Sequence, residues 1–314
     1  MRQETAEKEL FETMPVPKAV ATLAVPTIIS QVVTMIYNLA DTFFIGQIGN
    51  PYMVAAVSLV SPWFNLLTAL SNLLWSEGHA RPASIGMMFG GILNVVLDPV
   101  LIFGFHLDVA GAAIATAFSN AASVVFFAIV YMRLGDRSAV SLLPKNFTFR
   151  FTWPIFSMGL ASALATALGN ASNMVMVHLA SGYGDIPVAA YGIVKRIDQF
   201  PLNVSMGLCQ GFMPLVGYNY SAKNYKRMRA VSFFSWKTAI LMSACFVAFF
   251  AIFAPQILHL FIPEAQTSSL GAEFLRIACL AVPLTSVNFL ISYTLQAMGM
   301  GTQSAILTFS RQGF

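Results

Sequence analysis

The sequence predicts an all-α polytopic membrane helix bundle, and three observations carry that prediction: composition, the length of the apolar runs, and the alternation of charge between them. Hydrophobic residues make up 57% of the 314 and charged residues only 10%, with a mean hydropathy of +0.71. A soluble domain carries roughly a quarter charged residues, so this chain has too few to clothe itself in water. A helix needs on the order of 20 mostly apolar residues to cross the hydrocarbon layer. The sequence offers eight such stretches and part of a ninth.

The first element is a charged segment, residues 1–17, with Arg2, Glu4, Glu7, Lys8, Glu9 and Glu12. It has no short apolar core with a cleavage site, so it does not read as a cleaved signal peptide. Leu10, Phe11 and Met14 are expected to lay an apolar edge on the membrane surface. Spans are then expected near residues 18–45, 52–74, 84–105, 111–132, 152–180, 187–217, 231–254 and 271–298, with a ninth beginning at 302. On this reading residues 18–132 form a first lobe of four spans. Residues 133–151 form a basic linker, and 152–314 a second lobe of four spans and part of a fifth.

The connectors alternate sharply. One set carries Arg2, Lys8 and Lys18, then Arg81, then Arg133, Arg137, Lys145 and Arg150, then Lys223, Lys226, Arg227 and Arg229. The intervening loops, 46–51, 106–110, 181–186 and 255–270, have no Lys or Arg. By the positive-inside rule the basic side, and with it the N-terminus, is cytoplasmic. The pI of 9.0 and net charge of +4 follow from these dispersed residues. A nucleic-acid partner would need one basic face with interleaved aromatics, and none is present.

The two lobes share a pattern. Val-Ala-Ala opens the second span at 54–56 and the sixth at 188–190, each after a helix with an early proline, Pro26 or Pro154, and a short outer loop. Transporters are commonly two related halves around a midplane site.

Polar residues within the spans mark the candidate sites. Gln31, Thr34, Asn38 and Asp41 recur at helical spacing on one face of the first span. Asn94 and Asp98 are four apart in the third, and Pro99 removes a backbone donor beside the acid. The fourth adds Thr116, Asn120 and Ser123. The second lobe repeats the stripes: Ser162, Thr166, Asn170 and Asn173; Arg196, Gln199, Asn203 and Gln210, with Lys195 and Asp198 close by; and Thr285, Asn288 and Ser292. An aspartate at membrane depth costs roughly 2.5–3.5 kcal/mol on insertion scales, and two carboxylates sharing a low-dielectric site can load and release a proton near neutrality. Asp41, Asn94 and Asp98 are therefore expected to form a cation-coupling site for H+ or Na+. Gln31, Thr34, Asn38, Thr116, Asn120, Asn170, Asn173, Gln199, Asn203 and Asn288 are expected to line a substrate cavity. The alternative for both sets is helix–helix hydrogen bonding. Lys195, Arg196 and Asp198 are read as a local ion pair reaching toward the outer interface.

Cys209, Cys245 and Cys279 have no paired spacing, and His79, His106, His178 and His259 no metal-ligand spacing. There is no HExxH and no phosphate loop. No cofactor, enzyme chemistry or resident metal other than Na+ is expected, and an ion gradient or a partner chain is left as the energy source.

At several separate points the sequence resembles multidrug and toxic compound extrusion (MATE) transporters, in particular their bacterial DinF/MepA-like branch. The points are PTIISQVVTMIYNLADTFFIGQIG (26–49), SEGHARPA (76–83), NVVLDPVLIFG (94–104), the Val-Ala-Ala segments and GFMPLVGYNYSAKN (211–224). The resemblance implies two six-helix lobes around a central cavity in a bacterial inner membrane, a monomer, and H+- or Na+-coupled export of cationic, lipophilic drugs. It puts Asp41, Asn94 and Asp98 on the coupling positions. It also implies twelve helices, whereas four are read before the linker. The chain therefore reads as lacking two helices near 72–76, and as stopping within the eleventh. A lipid or lipid-linked oligosaccharide flippase of the same superfamily is the alternative function.

Overall fold

The computed structural model describes residues 9–48, 61–105, 107–135, 138, 149, 152–261 and 265–313, with side chains 37–48 and scattered other helical positions outside the description. Among the described residues there is no strand. A π-helical turn, Glu9–Thr13, precedes α1 (Val16–Ile48), α2 (Ser61–Ser76), α3 (Ala80–Pro99), a second π turn (Val100–Gly104) and α4 (Asp108–Leu134). Then follow α5 (Thr152–Ser181), α6 (Asp185–Ser221), α7 (Tyr225–Phe261), α8 (Ala265–Cys279), α9 (Val282–Ala297) and α10 (Gly301–Gly313). By length and composition α1, α3 with its π turn, α4 and α7 can each cross a membrane, and α8 with α9 makes a fifth, bent span.

The chain forms two compact units. One is Val20–Leu142; the other joins Met1–Ala19 to Leu143–Phe314. In the first, α3 packs against α4, and α2 lies on both. Its helices are amphipathic in the inverted sense. Ile85, Phe89, Ile92 and Val96 on α3, and Ile114, Phe118, Val125 and Ile129 on α4, are exposed. Ser84, Asn94, Asp98, Ser119, Asn120 and Ser123 are at most 5% exposed. Water would favour the reverse, and lipid favours this arrangement. Glycine makes the close contact: a Cβ at Gly86 would strike the Phe127 ring, and one at Gly90 would strike Ser123 Oγ. Small residues at a helix interface let backbones approach in this way.

In the second unit α6, α7 and α8 pack around Val194, Phe250, Leu258, Leu275 and Cys279. α9 is tied in by hydroxyls: Ser286 Oγ lies 2.9 Å from both Ser205 Oγ on α6 and Ser243 Oγ on α7, all three buried. α7 begins where Asn224 Oδ1 accepts the Arg227 backbone N–H at 3.2 Å, an asparagine N-cap.

Three sequence expectations change here. The eighth span is broken: α8 and α9 meet at a 40° bend, with Pro283 in the first turn of α9 and short bonds from Leu280 N to Ile277 O and Ala281 N to Ala278 O closing α8. Proline fits a first turn but cannot donate within a continuing helix. The outer loop 255–270 is largely helical, because α7 runs through Pro255 to Phe261 and α8 starts at Ala265. Finally, Phe11 does not lie on a membrane surface. It is 9% exposed and stacked on Tyr218, ring centroids 4.8 Å apart.

Candidate cation and substrate sites

The spacing 86, 90, 94 and 98 puts two glycines, Asn94 and Asp98 on one face of α3. The glycines bring that face against α4, where Thr116, Asn120 and Ser123 recur. Asp98 is fully buried and Asn94 is 2% exposed. Asn94 Nδ2 donates to Asp98 Oδ1 and to Thr116 Oγ1, each at 3.3 Å. Thr116 donates its own hydrogen to Ala112 O at 2.9 Å, so toward Asn94 its oxygen can only accept. With both amide hydrogens committed, Asn94 Oδ1 is left buried with no hydrogen-bond partner among the described residues. The amide is thus oriented by its surroundings, with an oxygen facing inward beside a carboxylate.

The backbone beside the acid is irregular for a stated reason. Pro99 has no N–H, Val100 N bonds Leu97 O instead, and the chain widens into the π turn, with Phe105 N on Val100 O at 3.0 Å. π turns inside helices are frequent at functional sites. Gly111 seats against this turn, where a Cβ would stand 2.9 Å from the Leu101 carbonyl.

Around the same seam the hydroxyls of Ser84, Ser119 and Ser123 and the Asn120 amide nitrogen are buried without hydrogen-bond partners among the described residues. Gln31 and Thr34 are half-buried on α1. Asn38 and Asp41 belong to the same helix, but their side chains lie outside the described residues, as do those of Ser162 and Thr166. In the second unit Asn170, Asn173 and Gln199 are exposed and Asn203 and Asn288 half-buried. Asn173 Oδ1 accepts from the Tyr191 hydroxyl at 2.9 Å.

That bond borders a cavity of about 700 Å³ walled by Tyr183, Tyr191, Phe274 and Ile277, with Asp198 and Lys195 at its polar edge. Spacing alone read Lys195, Arg196 and Asp198 as an outward local pair. In the structure Lys195 and Arg196 are exposed, while Asp198 turns inward with Oδ1 buried and unpartnered among the described residues. Lys195 and Asp198 are three apart in sequence, and that spacing does not reveal the aromatic wall, which combines Tyr191 of α6 with Tyr183 of the α5–α6 loop and Phe274 of α8.

The MatE family model matches residues 161–314. Multidrug export protein MepA of Staphylococcus saprophyticus is 25% identical over 384 aligned positions, covering 95% of this chain and 85% of its own. MepA of Staphylococcus aureus strain N315 matches at the same identity and coverage. An alignment longer than the 314-residue chain means that these relatives carry residues within the matched region that this chain lacks. Among solved structures, a MATE P26A mutant superposes with a TM-score of 0.83 at 22% identity, over 97% of this chain and 87% of that one. An outward-facing multidrug resistance MATE family transporter of the MOP superfamily gives 0.82 at 22%, with the same coverage. Along nearly the whole length the chain resembles transporters of the MATE family in sequence and in fold, and the family model matches its C-terminal part.

Proposed function

We propose that this chain exports cationic or lipophilic small molecules from a bacterial cell in exchange for H+ or Na+, by alternating access. The observation that carries the reading is the buried Asp98–Asn94–Thr116 constellation inside a helix pair whose exposed faces are apolar. A carboxylate at membrane depth is retained where its charge is used. A proton on Asp98, or a sodium ion taking oxygens from Asp98, Asn94 and Thr116, would neutralise it there. Asp41 on α1 is assigned as the second carboxylate. The relatives' name, multidrug export protein, supports the substrate class. The aromatic cavity with its one acid, Asp198, suits a lipophilic cation better than a diphosphate headgroup, which would need clustered cations. The basic connectors argue for a multi-pass inner-membrane protein with a cytoplasmic N-terminus.

The test is dye movement in vesicles containing the full chain, with an imposed proton or sodium gradient. Ethidium should accumulate against its gradient, and Asp98→Asn or Asp41→Asn should stop it without lowering the amount of inserted protein. Full transport by Asp98→Asn would remove the coupling assignment.

A further inference from the structure

The N-terminal turn Glu9–Thr13 makes contacts that the transport site does not use. All of them lie on the second unit, where α6 ends and α7 begins. The Arg227 guanidinium donates from Nε to Phe11 O at 2.7 Å, and from Nη2 to Met14 O at 2.7 Å and Leu10 O at 3.2 Å. Carbonyls at the end of a helical turn lack intrahelical partners, and a planar guanidinium fork can serve several at once. Asn219, fully buried, donates to Leu215 O at 2.8 Å and Phe11 O at 3.2 Å. Phe11 stacks on Tyr218, whose hydroxyl donates to Glu12 Oε1 at 2.6 Å. From this seat the chain passes Pro15 and Pro17, which lock φ and stiffen the connection, into α1. Residues up to Ala19 group with the second unit, and those from Val20 onward with the first.

We propose that Arg227, with Asn219 and Tyr218, permanently anchors the N-terminal turn and so acts as a positioning residue for α1, the helix that carries Asp41. Permanence follows from the contacts: a buried ring and hydrogen bonds from an always-charged guanidinium and an amide to backbone carbonyls, with Tyr218–Glu12 the bond that involves a carboxylate. The consequence for transport rests on the exchange reading above, whereas the anchor itself does not.

Hydrogen exchange on the full chain in lipid nanodiscs tests the anchor. Arg227→Ala should speed exchange across residues 9–19 at least tenfold while the other helices keep their protection. Arg227→Lys, which keeps the charge but loses the fork, should fall between. Unchanged exchange in Arg227→Ala overturns the anchor. Ethidium transport tests the positioning. Arg227→Ala should raise the cation concentration for half-maximal rate several-fold and leave the half-saturating ethidium concentration alone, and an unshifted cation dependence overturns the positioning role. In a Cys245→Ser background, Phe11→Cys with Tyr218→Cys should behave like Arg227→Ala when reduced and regain wild-type transport when oxidised. Arrest on oxidation overturns permanence. If the wild-type chain moves no dye, the exchange reading and the positioning role fall together, and hydrogen exchange alone decides the anchor.

Discussion

Thr116 hands its hydrogen to Ala112 O and presents only lone pairs to Asn94, which is what holds the amide with its oxygen turned inward. Thr116→Val keeps the shape and removes those lone pairs. Losing one hydrogen bond of about 1 kcal/mol should raise the cation concentration for half-maximal transport roughly fivefold, while Thr116→Ser should stay near wild type. Transport rate against sodium concentration or pH reads this directly. Tyr218 gives a second prediction, this one on pH. Its bond to Glu12, with smaller contributions from burial and the glutamate's charge, holds the phenol above its ordinary 10. A phenol whose folded value is raised lends stability that is fully present below pH 10 and is lost as pH rises through the folded value. Protection of residues 9–14 against exchange should therefore fall in that alkaline window, and Tyr218→Phe should lower protection at neutral pH and flatten the alkaline fall. That Asn94 and Asp98 share one face of α3 was legible from sequence because they are four apart. That Asn94 pairs with Thr116 was not, because 22 residues and a proline-disturbed turn separate them.

At the scale of elements, the α3–α4 seam depends on glycine. Gly90→Val would force the helices apart against Ser123 and should destabilise the protein by about 1–3 kcal/mol, the usual effect of overpacking. Thermal unfolding of detergent-solubilised protein measures it, and a parallel fall for Gly86→Val against Phe127 is expected. In the second unit, Ser286→Ala should cost about 1 kcal/mol by stranding the Ser205 hydroxyl, because one oxygen bridges three helices. Helix existence was readable from apolar length. The break between α8 and α9 was less so: Pro283 is visible in sequence, but a proline within a span can also be absorbed as a kink when neighbouring helices satisfy the freed groups.

For the whole molecule, the charge alternation makes a topological prediction. A periplasm-dependent phosphatase fused after Gly182 should be active, and one fused after Lys223 inactive. The reverse result would invert the orientation. That orientation requires α6 to cross between these points, although its charged and amide residues, Asp185, Lys195, Arg196, Asp198, Gln199, Asn203 and Gln210 among them, keep it apart from the apolar spans. It is a packed member of its unit, its apolar positions Val194, Leu208, Phe212 and Leu215 at most 3% exposed.

Membrane residence, helical class and MATE resemblance were legible in the sequence alone, because each rests on local composition or on short motifs. The tertiary structure decided what depends on two helices meeting. It oriented Asn94 through Thr116 and turned Asp198 inward beneath an aromatic wall. It also seated Phe11, 208 residues distant from Asn219, in the grip of Arg227. Periodicity says which face a side chain shares; only packing says what that face meets.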